Sequence, residues 1–207
     1  MGEHVALHLS GVELAGDLVV PRSATGMVIF AHGSDSSRLS PRNQYVARIL
    51  NEAGFATLLF DLLSTKEASD RRNVFDIPLL AERLTAAHAW AAKRQDLAVG
   101  YFGASTGGAA ALWSAGGGSD EVAAVVSRGG RVDLAGERLG RVEAPTLLIV
   151  GELDTEVLEL NRQSMAQLRC VSRLDVVPAA THLFSEPGTL EQVAVLARDW
   201  FRSHLHG

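Results

Sequence analysis

The sequence predicts an α/β fold in which a mostly parallel sheet of about seven to eight strands carries helices on both faces, with no large lid domain. Short apolar runs such as Met27–Ala31 and Thr146–Val150 are continuous rather than alternating, which is typical of strands covered on both faces. Segments with helical spacing of apolar residues separate these runs, so strands and helices alternate along the chain. No repeat or linker interrupts the pattern, and one domain over residues 1–207 is expected.

The first half of the chain contains four predicted strands and two predicted helices. Pro41 is expected near the start of the first helix, where its missing N–H does no harm, and Gly54 is expected to end that helix. The Gly16-Asp17 pair predicts a break or bulge in the second strand. In order, the predicted elements are strand Val5–Leu9, strand Val12–Val20, strand Met27–Ala31, helix Pro41–Ala53, strand Phe55–Phe60, polar loop Asp61–Asn73 and helix Asp76–Lys93.

The second half continues the alternation and ends on a helix. Apolar runs again mark the strands, and apolar residues at helical spacing mark the helices. In order, the predicted elements are strand Leu97–Phe102, a helix that begins after Gly108, strand Val122–Val126, loop Ser127–Asp133, strand Thr146–Val150, helix Glu156–Leu168, strand Arg173–Val177, loop Pro178–Pro187 and helix Thr189–His204.

One strand-to-helix junction carries the pentapeptide Gly103-Ala104-Ser105-Thr106-Gly107. A G-x-S-x-G sequence between a strand and a helix is typical of a sharp turn that presents a nucleophilic serine. The glycines leave room for the neighbouring strand and helix, and the positive end of the helix dipole favours a developing anion. The alternative interpretation is a glycine-rich turn without chemistry.

A serine hydroxyl needs a base, and the base needs an acid that orients it. Asp154 follows the strand Thr146–Val150, and His182 lies between the last strand and the closing helix. We therefore predict Ser105, His182 and Asp154 as nucleophile, base and acid. Asp154 as a simple helix cap remains an alternative, and Glu152 and Glu156 are rival acids.

Two backbone N–H groups are needed to stabilise the oxyanion of an acyl-transfer intermediate. We expect one from Thr106, directly after the nucleophile, and the other from Ser34 in the loop that begins at His32-Gly33. A tight turn at His32-Gly33 with no other role is the alternative.

These motifs together resemble the α/β-hydrolase fold over nearly the whole chain. The segments His32–Asn43 and Asn73–Ile77 resemble a small bacterial subgroup described as dienelactone-hydrolase-like. Asp35 and Leu39 stand where that subgroup has glycine and histidine, and Ser105 stands where true dienelactone hydrolases have cysteine. The resemblance implies a serine hydrolase that cleaves carboxylic esters or thioesters through an acyl-enzyme.

Two other classes of function are compatible with parts of the sequence. A catalytically silent member of the fold would bind a small ligand or a protein, although a binder has no need of all three triad residues. A nucleotide-binding module would use Gly100–Gly108 as its phosphate loop, but neither G-x-G-x-x-G nor G-x-x-x-x-G-K-[ST] occurs there.

Arginines fall in three loops that are expected near the carboxyl edge of the sheet. We predict Arg38, Arg72 and Arg128 as substrate-binding residues, because a guanidinium can hold a carboxylate or phosphate through two hydrogen bonds. Surface ion pairs with nearby aspartates are the alternative. The full set of loop arginines is Arg38, Arg42, Arg71, Arg72, Arg128 and Arg131.

Composition limits the partners of the protein. The net charge of -5 argues against nucleic acid and an anionic membrane as default partners. The sequence shows no secretory signal and no membrane-spanning run, so a cytoplasmic location is expected. Cys170 is the only cysteine, and no Cys/His cluster has metal-ligand spacing. We predict no metal, no cofactor and a small-molecule ester substrate, while the sequence leaves the oligomeric state open.

Overall fold

The computed structural model describes residues 2–118 and 121–205. Within these residues the strands are β1 (Glu3–Leu9), β2 (Val12–Val19), β3 (Met27–Ala31), β4 (Ala56–Phe60), β5 (Val99–Ala104), β6 (Val122–Arg128), β7 (Thr146–Gly151) and β8 (Ser172–Val177). The helices are α1 (Pro41–Glu52), α2 (Thr65–Ala68), α3 (Arg71–Val74), α4 (Ile77–Ala92), α5 (Thr106–Ala115), α6 (Thr155–Met165) and α7 (Thr189–His204), and a kinked 3₁₀ segment covers Val132–Arg141.

The strands form one sheet in the order β1-β2-β4-β3-β5-β6-β7-β8. The six strands from β4 to β8 in that order pair in parallel, whereas β1 and β2 pair antiparallel at one edge. Helices α1 and α7 cover one face, and α4, α5 and α6 cover the other. The predicted fold class is therefore confirmed.

The continuous apolar strands serve two cores at once. In β7, Leu147 and Ile149 pack in the core under α1 and α7, while Leu148 packs in the core under α4 and α5. Successive side chains of a strand point to opposite faces, so a strand between two helical layers needs an apolar residue at every position. Burying both faces fixes the sheet in the middle of the molecule and leaves its carboxyl edge open for function.

The predicted break at Gly16-Asp17 is wrong. The register of β1 and β2 runs without interruption from Glu3 opposite Leu18 to Leu9 opposite Val12. A Cβ on Gly16 would lie 2.7 Å from Leu7 Cδ1, so the glycine makes room for packing across the pair. The sequence signal for a bulge and for close packing is the same, and here the packing explains it.

Two predicted loops contain more structure than expected. The segment Asp61–Asn73 forms the short helices α2 and α3, and Ser64 and Glu67 cap α2 reciprocally. Strand β6 continues through Ser127 and Arg128, because both pair with β5 and β7, and the 3₁₀ segment follows soon after. Among the described residues, no helix has the length and apolar character needed to cross a membrane.

Candidate active site

The carboxyl ends of the parallel strands meet along one edge of the sheet. Ser105 follows β5, Arg128 ends β6, Asp154 follows β7 and His182 follows β8, while the loop at His32 follows β3. Residues far apart in sequence therefore become neighbours at this edge.

Ser105 occupies a strained turn between β5 and α5. Its backbone has φ +53° and ψ −122°, a conformation that residues other than glycine rarely adopt. A Cβ on Gly107 would overlap the carbonyl oxygen of Ala31, so only glycine allows this turn to approach β3. The Ser105 N–H donates to the Arg128 carbonyl at 3.2 Å, and the Ser105 carbonyl accepts from the Arg131 N–H at 3.0 Å. Backbone contacts on both sides thus hold the strained residue in place.

His182 and Asp154 form a hydrogen-bonded pair. The distance from His182 Nδ1 to Asp154 Oδ2 is 2.6 Å. Asp154 stands at the N-cap of α6 but makes no capping hydrogen bond with its side chain, so the carboxylate is committed to the imidazole. Of the rival acids, Glu152 accepts instead from the Ala179 N–H at 2.8 Å. A carboxylate on Nδ1 fixes the imidazole orientation and leaves Nε2 for another partner.

Ser105 and His182 line the same cavity of about 390 Å³, together with Ser34. The described side chains show no hydrogen bond between Ser105 Oγ and the imidazole. Catalytic hydrogen bonds are often long in a site without substrate and shorten when the substrate is bound. The cavity thus has a serine hydroxyl and the imidazole of the His182–Asp154 pair in its lining.

The two predicted oxyanion donors lie next to the candidate site. Thr106 is the first residue of α5, so its N–H has no acceptor within the helix. Gly33 packs so tightly on the turn that a Cβ there would lie 3.0 Å from Ser105 Cβ, and the next residue, Ser34, lines the cavity together with Ser105. Neither the Thr106 nor the Ser34 N–H donates to another of the residues that the structure describes. Both groups are available to a ligand oxygen.

His32 anchors the loop that carries Ser34. Its Nδ1–H donates to the Gly33 carbonyl at 2.9 Å, and its Nε2 accepts from the Leu62 N–H at 3.0 Å. Burial lowers the pKa of His32, against smaller opposing effects of the Gly33 hydrogen bond and the Asp61 charge. A neutral imidazole satisfies both contacts, since one nitrogen must donate and the other must accept.

The three predicted substrate-binding arginines have different environments. Arg38 pairs with Asp61 at 2.6 Å and with Asp17 at 3.4 Å, and Arg72 pairs with Asp70 at 2.7 Å on the surface. Neither residue lines the cavity at Ser105. Arg128 does line it, so the structure brings only this one of the three to the candidate site.

Arg128 is buried and forms no ion pair with the other residues that the structure describes. Only 7% of the residue is exposed, its guanidinium lies 5.8 Å from the centre of the Phe184 ring, and its Nε has no hydrogen-bond partner among the described residues. Burial, with a further effect of the nearby Arg42 charge, lowers the pKa of Arg128 to about 10. Arg128 therefore stays charged at neutral pH.

A second cavity of about 410 Å³ lies beside the first and shares Gly33, Ser34 and Ser36 with it. Its apolar lining comes mainly from the end of β4 and from the segment that contains α2 and α3. The apolar side chains in this lining are Leu62, Leu63, Ala68, Val74 and Leu80, and Thr106 also contributes. The two cavities thus differ in chemistry and meet at the loop after Gly33.

Sequence reasoning left out two contributors to this edge when it chose site residues. Arg42 belongs to the set of arginines expected near the carboxyl edge but was not chosen as a substrate-binding residue; it lies on α1 and lines the cavity at Ser105. Glu186 accepts from the Thr181 hydroxyl at 2.6 Å and from the Thr181 N–H at 3.1 Å, and so holds the loop that carries His182. A carboxylate four residues after a histidine is too common a spacing to have predicted that contact.

The chain is similar to solved structures along its whole length. A dienelactone hydrolase from Anabaena variabilis is 51% identical, with a TM-score of 0.96, and the comparison covers 100% of this chain and 99% of that chain. Est1E from Butyrivibrio proteoclasticus is 17% identical with a TM-score of 0.82 and shares the fold over 98% of each chain. No family model matches the chain.

Curated relatives from two strains of Mycobacterium tuberculosis are 59% identical over 208 residues. Their names assign them provisionally to the phosphoribosyl transferases. The match covers 99% of this chain but 47% of each relative, so the chain spans about half the length of the curated relatives that it matches.

Proposed function

Because the chain belongs to the dienelactone-hydrolase-like family of α/β hydrolases, we propose that it is a serine hydrolase that cleaves carboxylic esters or thioesters of small molecules. The observation that carries this proposal is the 2.6 Å hydrogen bond between His182 Nδ1 and Asp154 Oδ2, at a cavity that Ser105 also lines. The solved relative of 51% identity is named as a hydrolase, and its resemblance supports the same reaction class.

In the proposed reaction, Ser105 Oγ attacks the ester carbonyl while His182 Nε2 takes the hydroxyl proton. Asp154 holds the Nδ1–H and stabilises the imidazolium that forms. The N–H groups of Ser34 and Thr106 donate to the oxyanion, and His182 then protonates the leaving alcohol or thiol. In the second half of the reaction, His182 takes a proton from a water molecule that attacks the acyl-enzyme. His182 then returns the proton to Ser105 Oγ as the carboxylic acid is released.

The phosphoribosyl transferase name describes proteins of which this chain matches about half. The hydrogen-bonded carboxylate and imidazole beside Ser105 favour the hydrolase for this part, because group transfer from a phosphorylated sugar needs no such pair. We therefore extend only the hydrolase chemistry to this chain.

Labelling with a fluorophosphonate probe tests the nucleophile directly. The wild-type protein should be labelled and should hydrolyse p-nitrophenyl butyrate, whereas Ser105→Ala should do neither. Ser114→Ala is a suitable control, because Ser114 is a buried serine of α5 that lies outside the cavity. Full esterase activity in Ser105→Ala would contradict the proposal, and a wild type that reacts with no ester would favour the silent binding protein.

His182→Asn and Asp154→Asn separate the proposed roles. We expect a fall in kcat of about 1,000-fold or more for each variant, because the base is lost in one and wrongly oriented in the other. A loss confined to KM would instead indicate that these residues only bind the substrate.

A further inference from the structure

The strongest unassigned feature of the molecule is the pair of arginines at the candidate active site. Arg128 and Arg42 both line the cavity of Ser105 and His182, and their like charges interact. Neither side chain forms an ion pair within the described residues, and the Nε atoms of both are buried without a hydrogen-bond partner. An uncompensated buried guanidinium is costly, which points to a ligand that supplies the missing negative charge.

The acidic groups that the structure describes do not supply that charge. Asp35 lines the same cavity, but it is exposed and makes no ion pair with either arginine. Asp154 is engaged by His182 at 2.6 Å. Arg38, by contrast, is neutralised by Asp61 and Asp17, so the other arginine near this loop has its partners within the fold.

The position of the arginines also indicates which part of an ester they face. The proposed general acid must reach the leaving-group oxygen, so the leaving group lies in the cavity that His182 lines. The neighbouring apolar cavity contains the oxyanion residues Ser34 and Thr106 but neither Ser105 nor His182. The acyl group therefore fits the apolar cavity, and the alcohol fits the cavity with Arg42 and Arg128.

We propose that the substrate is an apolar acyl ester of a phosphorylated alcohol, whose phosphate is bound by Arg42 and Arg128. This inference rests on the proposed hydrolase function. Two uncompensated guanidiniums match the charge of a phosphate dianion, and a guanidinium fork can bind two phosphate oxygens at once. Water is the only co-reactant, and the products are a carboxylic acid and the phosphorylated alcohol.

Three matched butyrate esters test this proposal: those of glycerol 3-phosphate, glycerol and glyceric acid. We expect wild-type kcat/KM to be about tenfold or more higher for the phosphorylated ester than for the glycerol ester. Arg42→Gln and Arg128→Gln should each reduce that ratio by about tenfold or more. Arg48→Gln should leave the ratio unchanged. Arg48 lies on α1, as Arg42 does, but it pairs with Glu52 at the surface and does not line the cavity.

Inorganic phosphate provides a second measurement that does not depend on the phosphorylated ester. It should inhibit hydrolysis of the glycerol ester competitively in the wild type, and more weakly in Arg42→Gln. Arg42 is half-buried on α1, so this variant keeps the test valid even if Arg128→Gln fails to fold.

Several outcomes would overturn the inference. Equal kcat/KM for the phosphorylated and glycerol esters would do so, as would a preference for the glycerate ester or an unchanged ratio in the arginine variants. Probe labelling of Ser105 together with any of these results would reject the phosphate site and leave the hydrolase in place. Phosphate binding to the wild type that Arg42→Gln weakens, without labelling of Ser105, would instead reject the hydrolase.

Discussion

At the scale of single residues, the backbone of Ser105 stores strain that the surrounding turn maintains. Its φ of +53° with ψ of −122° is accessible to glycine but unfavourable for serine or alanine. We expect Ser105→Gly to raise the free energy of unfolding by about 1–2 kcal/mol, because the strain is relieved but the unfolded chain gains freedom. Urea denaturation of both proteins measures the difference.

Ser105→Ala is the matched control for that prediction. It removes the same hydroxyl but keeps a Cβ in the strained conformation, so its stability should stay within about 0.5 kcal/mol of wild type. If both variants were equally stable, the turn would hold no strain of this size. Any gain in Ser105→Gly would then have to come from the lost hydroxyl.

His32 should make the stability of the protein depend on pH in the weakly acidic range. Burial lowers its pKa in the folded state, so the unfolded chain takes up a proton first as the pH falls below about 6.5. The folded state therefore loses stability as the pH falls from about 7 toward 5. A single proton limits the slope to about 1.4 kcal/mol per pH unit.

Urea denaturation at several pH values, for wild type and His32→Gln, checks this expectation. The variant should be less stable at pH 7, since it loses one of the two contacts that His32 makes to Gly33 and Leu62, and its slope between pH 7 and 5 should be smaller. His8→Gln serves as the control, because His8 is exposed on β1. Identical slopes in wild type and His32→Gln would show that His32 does not titrate differently on folding.

At the scale of elements, Glu67 joins the cap of α2 to a buried arginine of α4. Its carboxylate accepts from the Ser64 N–H and from Arg83, whose side chain is 6% exposed. We expect Glu67→Ala to lower the free energy of unfolding by about 2–4 kcal/mol, since it removes the cap and leaves a buried charge uncompensated. Glu52→Ala, which breaks an exposed pair on α1, should change it by about 0.5 kcal/mol or less.

Equilibrium denaturation in urea distinguishes these cases. A small effect of Glu67→Ala would mean that water reaches Arg83 once the carboxylate is gone. If Glu67→Ala instead causes the expected large loss of stability, the double variant Glu67→Ala with Arg83→Met should recover part of that loss only if the uncompensated charge of Arg83 caused it.

The sequence was informative where local chemistry decides the structure, and less so where distant partners decide it. Continuous apolar runs predicted both the strands and the double burial of the sheet, and G-x-S-x-G predicted the turn whose strain Ser105 displays. The helices α2 and α3 were not predicted, although Ser64 and Glu67 form a local capping box, because helices of four residues are too short to show an apolar periodicity. The contact from Glu67 to Arg83, which lies 16 residues further along, carries no local signal either. The uncompensated burial of Arg128 likewise depends on neighbours from α1 and from the loop after β8.

At the scale of the whole molecule, the parallel sheet is a rigid platform, whereas α2 and α3 form a less stable wall of the apolar cavity. The strands β3, β5 and β7 are buried at every residue, whereas α2 and α3 have four residues each and bury none of them. Local opening requires least free energy where little apolar surface is buried. The platform that holds Ser105 and the wall of the apolar cavity should therefore open independently.

Hydrogen exchange followed by mass spectrometry tests this separation. We expect amides of residues 65–75 to exchange at least about 100-fold faster than those of β5, because their opening should not require global unfolding. A phosphonate with an apolar chain that reacts at Ser105 should slow exchange in 65–75 by filling the cavity that this segment lines, whereas a methyl phosphonate should not. Equal protection of the segment and of β5 before any ligand is added would show that the wall opens only with the whole fold.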